Sequence, residues 1–104
     1  MMFSLFNKIP SISTKELESK LAEKIVLLDV RTPAEYKSGH IYQAVNKPLD
    51  KMNTYQGKEK EVYVICQSGM RSKKAAKTLK SKGYDVINIR GGMSQWRGSV
   101  KRGK

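Results

Sequence analysis

Apolar runs that alternate with helix-forming segments are the feature that most constrains the fold of this chain. Residues 25–30 and 62–65 form almost unbroken apolar runs, and residues 84–89 form a third strand-like segment. Continuous runs of this kind are typical of parallel strands that are covered on both faces. Because helix signals separate these segments, the sequence predicts an α/β three-layer domain with a mainly parallel central sheet flanked by helices.

Capping residues indicate where the first two helices begin. Ser13 and Glu16 have the spacing of a capping box, which predicts a short helix that ends near Glu23. Thr32 followed by Pro33 predicts the start of a second helix, because proline fits the first helical position.

A third helix is expected over residues 72–82, with small residues and one leucine on its inner face: Ser72, Ala75, Ala76 and Leu79. Gly83 would end this helix. The remaining segments are predicted as a short strand at 44–46, a polar loop with one helical turn at 50–61, and a final turn whose Trp96 covers the core.

Size and charge limit the possible functions. The chain has 104 residues, enough for one compact domain, and no apolar run of membrane-spanning length. With 21 basic and 9 acidic residues its net charge is +12, which favours anionic partners. We expect no specific nucleic-acid binding, because the sequence contains no arginine-rich arm, recognition-helix pattern or zinc spacing.

Cysteine and histidine counts bear on metals and compartment. The chain has one cysteine, so it cannot form an internal disulfide, and it also has only one histidine. Cysteine usage gives no support for an oxidising compartment, and we expect a cytoplasmic protein. We expect no metal site and no cofactor, because the acids are scattered and the ligand spacing of a metal centre is missing.

Cys66 is the strongest candidate for chemistry. It follows the apolar run at 62–65 and precedes a short polar loop and the predicted third helix. A thiol at such a junction faces backbone N–H groups and the positive end of the helix dipole, and Arg71 adds a full positive charge. These surroundings favour the thiolate, which is the nucleophilic form. We therefore expect an ionised thiol that substrates can reach.

Four segments together resemble the single-domain rhodaneses, a family of sulfurtransferases. Asp29-Val30-Arg31 with Glu35 and Tyr36 is similar to the first family signature, and Gly39-His40-Ile41 with Ala44, Asn46 and Pro48 continues it. Residues 66–71 resemble the active-site loop, and Gly91-Gly92 with Trp96 resembles the C-terminal segment. The similarity implies a domain at 12–97, which leaves an N-terminal extension at 1–11 and a basic flexible tail at 98–104.

The resemblance implies a catalytic cysteine that carries sulfur. Cys66 would take a sulfane sulfur from a small anionic donor such as thiosulfate or a low-molecular-weight persulfide. It would hold the sulfur as a persulfide and pass it to cyanide, a cellular thiol or a thioredoxin-like protein. The substrate-binding residues implied by the match form the loop after Cys66: Gln67, Ser68, Gly69, Met70, Arg71 and Ser72.

Several residues on or near the predicted loop have an expected role in the site or in its packing. Arg71 is suited to clamp the sulfonate oxygens of thiosulfate, because a guanidinium group offers a planar fork of donors. Asp29 and Arg31 could tune the site, and we expect an Arg31–Glu35 ion pair to fix the loop. His40 is expected to pack structurally near the helix–strand junction, since activation of the thiolate needs no base.

Two other functions use similar residues. Cysteine phosphatases and arsenate reductases also combine a cysteine, loop amides and an arginine, but they place five residues between the cysteine and the arginine. Only four residues separate Cys66 from Arg71, so the cradle is narrower and phosphate should fit poorly. A non-catalytic rhodanese-like binding module is the second alternative, and the retained Cys66 argues against it.

Overall fold

The structure is a computed structural model that describes residues 8–104. Five strands and three α-helices alternate along these residues, and two short 3-10 helices follow β3 and β5. The strands are β1 Ser11–Ile12, β2 Leu27–Asp29, β3 Val45–Asn46, β4 Glu61–Ile65 and β5 Asp85–Ile89. The α-helices are α1 Thr14–Lys20, α2 Pro33–Ser38 and α3 Met70–Ser81, and the 3-10 helices are Leu49–Thr54 and Gly92–Gln95.

All five strands belong to one parallel sheet, which confirms the predicted fold class. Their order across the sheet is β1-β5-β4-β2-β3. Asp29, at the end of β2, lies beside Ile65, at the end of β4. Because the carboxyl ends of parallel strands share one edge, the segments that follow β2 and β4 meet there, where α/β folds place their ligands.

The two predicted capping boxes are present. Ser13 caps α1 with Glu16, and Thr32 caps α2 with Glu35 reaching back to the Thr32 N–H. Helix α1 ends at Lys20, earlier than the expected Glu23. Helix α3 begins at Met70 instead of Ser72 because Gly69, with φ 103°, completes the turn in the left-handed region and lets helical geometry start at once.

Two apolar layers cover the faces of the sheet. Side chains alternate along β4, so Val62 and Val64 point to the layer that contains α3, and Tyr63 and Ile65 point to the layer that contains Leu17 of α1. The predicted inner face of α3 is confirmed, since its buried residues are Ser72, Ala75, Ala76 and Leu79. Cys66 continues the alternation and joins the first layer.

The carboxyl-terminal segment lies against the domain. Trp96 is half-buried and packs on the second layer, as predicted. Lys101 and His40 form an antiparallel bridge with N···O distances of 2.8 and 2.9 Å, and the Gly103 N–H donates to Lys37 O at 2.8 Å. The segment expected to be a flexible tail is therefore hydrogen-bonded to the last turn of α2 and to His40, which follows that helix.

Two expectations concern the ends of the chain and membranes. Residues 1–7 of the predicted N-terminal extension lie outside the described residues. From residue 8 onward, no helix is long and apolar enough to cross a bilayer.

Leu79 tests the packing of α3 on the sheet. Its side chain is fully buried in the first apolar layer. Leu79→Ala should lower the free energy of unfolding by about 2–5 kcal/mol, because the lost contacts leave a cavity. Lys77→Ala, an exposed change on the same helix, should stay within about 0.5 kcal/mol of wild type in the same chemical denaturation experiment. Equal effects of the two substitutions would contradict this packing.

Candidate active site

The loop after β4 folds back so that its backbone surrounds the Cys66 sulfur. The Gly69 N–H donates to Cys66 Sγ at 3.0 Å. Ser72 Oγ lies 3.4 Å from Sγ and donates to Gly69 O at 3.1 Å. A hydroxyl hydrogen rotates freely, so Ser72 can redirect its proton to a thiolate. The predicted convergence of loop amides on the sulfur is thus present at Gly69.

Hydrogen bonds control the ionisation of Cys66. Burial raises the pKa of the thiol, because desolvation disfavours the charged form. The Ser72 hydroxyl and the N–H groups of Ser72, Gly69 and Ser68 lower it, and together they outweigh burial. The pKa of Cys66 is therefore below its ordinary value, as expected for a nucleophilic cysteine.

The thiol is not open to solvent, which corrects the expectation of a reachable sulfur. Cys66 has 0% of its surface exposed and packs with the apolar layer under α3. The loop that supplies N–H groups to the sulfur also covers it. The contacts that stabilise the thiolate therefore also keep the thiol away from solvent. The exposed side chains of the loop, Gln67, Ser68 and Met70, form the outer surface of this cover.

A glycine turn braces the loop from the neighbouring strand. The Met93 N–H donates to Cys66 O at 2.8 Å, and the Ser94 N–H donates to Gln67 O at 2.9 Å. Gly92, with φ 58°, packs directly on these peptide groups, and a Cβ there would lie 2.9 Å from Gln67 O. From the sequence, Gly91-Gly92 was interpreted only as part of the segment that resembles the C-terminal segment of the rhodaneses. A glycine pair one residue after a strand was the available signal for such a close approach.

Arg71 is paired with Glu35, which corrects the predicted Arg31–Glu35 ion pair. Its two terminal nitrogens lie 2.7 and 2.9 Å from the two Glu35 oxygens in a bidentate contact. The Glu35 carboxylate also accepts from the Thr32 backbone and hydroxyl at the cap of α2. The pair therefore ties the active-site loop to the start of α2.

Arg31 forms a buried ion pair with Asp29 instead. Arg31 Nη2 lies 2.8 Å from Asp29 Oδ2, and Arg31 Nε lies 3.0 Å from Asp29 Oδ1. The guanidinium also donates to Gly39 O at 2.8 Å and to Gln67 Oε1 at 3.3 Å. Asp29 is fully buried, and a buried carboxylate is strongly unfavourable without a cation beside it. Arg31, two residues along the chain, supplies that cation. Both residues support the loop through Gln67.

His40 has the structural role that was predicted. It is buried, its ring stacks on Tyr36 at 3.5 Å between centroids, and its Nδ1 lies 2.6 Å from Tyr36 O. Within residues 8–104, no group of three or more His, Cys, Asp or Glu side chains could hold a metal ion.

Comparison with known proteins identifies the family. The model of the rhodanese-like domain matches residues 13–99. The chain belongs to the rhodanese-like family. YtwF of Bacillus subtilis is 40% identical over 100 residues, which cover 90% of this chain and 96% of that protein. A protein of Allochromatium vinosum named sulfurtransferase is 35% identical over 94 residues, which cover 85% of this chain and 88% of that protein.

A solved structure supports the same assignment. The crystal structure of a rhodanese-like domain protein from Staphylococcus aureus superposes with a TM-score of 0.81 at 33% sequence identity. The match covers 92% of this chain and 100% of that chain. The rhodanese-like fold therefore extends over nearly the whole length of both proteins.

Gly92→Ala should displace the loop that this rhodanese-like domain places around Cys66. A methyl group would overlap the Cys66 carbonyl oxygen and require an unfavourable left-handed backbone. We expect a lower melting temperature and changed amide shifts for residues 67–69 in NMR spectra. Gly83→Ala is the matched control, since its φ is 99° but no atom lies within 4 Å of the added Cβ. Amide shifts at 67–69 that change equally in both variants would refute the bracing role.

Glu35 should make stability depend on acid pH. Hydrogen bonds from Arg71 are the largest influence and lower its pKa from 4.5 to about 2, although burial partly opposes them. Because the folded state holds this proton less tightly, the stabilisation is complete above about 4.5 and is lost as the pH falls through about 2. Glu35→Gln should flatten the dependence of unfolding free energy on pH in this window, measured by urea denaturation.

Glu18→Gln removes the same charge from an exposed position on α1 and serves as the control. A Glu35→Gln profile as steep as that of Glu18→Gln would show that the Arg71–Glu35 contact does not set the acid stability.

Proposed function

We propose that this protein is a sulfurtransferase in which Cys66 carries a sulfane sulfur as a persulfide. The observation that carries the proposal is the 3.0 Å hydrogen bond from the Gly69 N–H to Cys66 Sγ, within a loop that lowers the pKa of the thiol. The relative from Allochromatium vinosum, which is named sulfurtransferase, supports the same reaction class.

The transfer occurs in two displacement steps. The Cys66 thiolate attacks the outer sulfur of a donor such as thiosulfate. A new S–S bond forms, the bond to the sulfonate sulfur breaks, and sulfite leaves with the electron pair. A thiophilic acceptor, cyanide or a cellular thiolate, then attacks the outer sulfur of the persulfide, and the Cys66 thiolate leaves. No external oxidant or reductant is consumed.

The loop stabilises the negative charge at each stage. N–H groups that point at Sγ favour the thiolate before attack, and they favour it again as the leaving group in the second step. Because Cys66 is fully buried, the proposed reaction requires the cover formed by residues 67–69 to move outward when the donor enters. The side chains of Gln67 and Ser68 are exposed, so polar contacts from Arg31 and Ser94, and not apolar packing, hold Gln67 in this cover.

The donor and acceptor classes follow from charge and chemistry. The net charge of +12 attracts a small anionic donor such as thiosulfate or a low-molecular-weight persulfide. The acceptor is a small thiol or a thioredoxin-like protein, because an external thiol can discharge Cys66 without a second cysteine in this chain.

The alternatives differ in what they require of the loop. A phosphatase needs a wider loop and an arginine free to bind the tetrahedral oxyanion, but only four residues separate Cys66 from Arg71, and Arg71 is bound to Glu35. A non-catalytic binding module has no need for hydrogen bonds that stabilise a thiolate. The sulfurtransferase is the function that uses these hydrogen bonds.

Incubation with thiosulfate should add one sulfur atom to Cys66. Intact-mass spectrometry should show a gain of about 32 Da that cyanide removes, corresponding to a persulfide. Cys66→Ser should show no gain and no transfer of sulfur to cyanide, and Ser68→Ala, which keeps the backbone N–H, should still be loaded. Failure of the native protein to gain mass with thiosulfate and with glutathione persulfide would refute sulfur transfer, and turnover of an aryl phosphate would favour the phosphatase.

A further inference from the structure

The carboxyl-terminal segment forms a strap across the end of α2. We call residues 100–103 the C-terminal strap. Lys101 and His40 exchange backbone hydrogen bonds of 2.8 and 2.9 Å, and the Gly103 N–H donates to Lys37 O at 2.8 Å. The C-terminal strap begins after residue 99, where the match to the rhodanese-like domain ends. These backbone bonds fix it to the end of α2 and to the residues that follow that helix.

One peptide group connects the C-terminal strap with Arg31. The carbonyl of Gly39 and the N–H of His40 belong to the same planar unit. The carbonyl accepts from Arg31 Nη2 at 2.8 Å, and the N–H donates to Lys101 O at 2.9 Å. Val100 also packs against Gly39, since a Cβ added there would lie 3.7 Å from Val100 Cγ2. Because a planar peptide cannot turn at one end alone, the strap fixes the direction of the carbonyl that Arg31 binds.

Arg31 carries this connection to the active-site loop. Its guanidinium is buried, and Nη2 donates both to Asp29 Oδ2 and to Gly39 O. Nη1 donates to Gln67 Oε1 at 3.3 Å. A guanidinium group is planar and rigid, so the bonds at Nη2 determine where Nη1 points. The carbonyl of Gly39 therefore helps to aim Arg31 at Gln67, the first residue of the cover over Cys66.

The contact between Arg31 and Gln67 is a weak point in the hold on the cover. At 3.3 Å it is the longest hydrogen bond that the Arg31 side chain donates. Asp29 holds the guanidinium on one side, and the Gly39 carbonyl is a second point that sets its orientation. If that carbonyl turns away, Arg31 keeps its ion pair with Asp29 but no longer points firmly at Gln67. The cover can then open more readily.

We propose that the C-terminal strap is a positioning element for the active-site loop. By fixing the peptide between Gly39 and His40, it holds Arg31 against Gln67 and keeps the cover closed over Cys66. Release of the strap raises the rate at which molecules reach the thiol. The importance of this rate for sulfur transfer rests on the proposed sulfurtransferase function, but access to the thiol can be measured with any reagent that alkylates cysteine.

Two substitutions at Lys101 in the full chain separate its backbone from its side chain. Lys101→Pro removes the N–H that donates to His40 O, and Lys101→Ala removes the same charge and the contact with the Tyr42 ring but keeps that N–H. Alkylation of Cys66 by iodoacetamide, an uncharged reagent, is followed by intact mass, and each rate is divided by the thiolate fraction. The rate should rise about 3- to 10-fold in Lys101→Pro, as expected for the loss of one ordinary hydrogen bond. Lys101→Ala should react like wild type, and equal rates in the two variants would overturn the proposal.

A double-mutant cycle tests the route through Arg31. Gln67→Ala removes the side chain that joins Arg31 to the cover, so Lys101→Pro should add no further increase in that background. The same fold increase with and without Gln67 would overturn this route. An alkylation rate that rises with urea as steeply as global unfolding would also overturn it, since opening of the cover alone exposes little surface. Failure of thiosulfate and glutathione persulfide to load Cys66, with alkylation as expected, would instead refute the sulfurtransferase function and leave the strap's role intact.

Discussion

The hydrogen bond from the Gly69 N–H to Cys66 Sγ is the interaction on which the rest of the site depends. A buried thiolate is unfavourable without such donors, because desolvation penalises the charged form. Here the loop N–H groups and the Ser72 hydroxyl outweigh burial and lower the pKa of Cys66. The same peptide groups enclose the sulfur, so one short segment both favours the thiolate and restricts access to it.

Three contacts from outside the loop hold its backbone in this arrangement. The Met93 and Ser94 N–H groups bind the carbonyls of Cys66 and Gln67, which fixes the far side of these peptides. Arg71 connects the loop to the capped start of α2 through Glu35. The buried Asp29–Arg31 pair reaches Gln67 from the end of β2. The loop is therefore positioned by the carboxyl ends of three neighbouring strands, β2, β4 and β5.

Local sequence patterns predicted the fold, and they pointed to Cys66 as the candidate residue for chemistry. Capping boxes at Ser13 and Thr32 depend only on residues three apart, and the inner face of α3 follows from helical spacing. Cys66 was identified because a strand, a loop and a helix meet there in sequence. The start of α3 differs by two residues from the predicted Ser72, because Gly69 adopts a left-handed backbone before it.

Interactions between distant residues could not be predicted in the same way. Arg31 and Glu35 are four apart and were expected to form an ion pair that fixes the loop, but the buried Asp29 pairs with Arg31 instead. Glu35 then pairs with Arg71, 36 residues away, which no local pattern indicates. The burial of Cys66 also depends on how the loop closes over the sheet, which strand and helix periodicity does not determine.

Titration of the Cys66 thiol in the native protein tests the central claim most directly. The ¹³Cβ chemical shift of Cys66, followed against pH, reports ionisation of this side chain alone in a chain with a single cysteine. The account predicts a midpoint below the ordinary cysteine value of about 8.5, and a higher midpoint in Ser72→Ala than in wild type. A wild-type midpoint at or above the ordinary value would show that burial prevails over the loop hydrogen bonds, and would contradict the account.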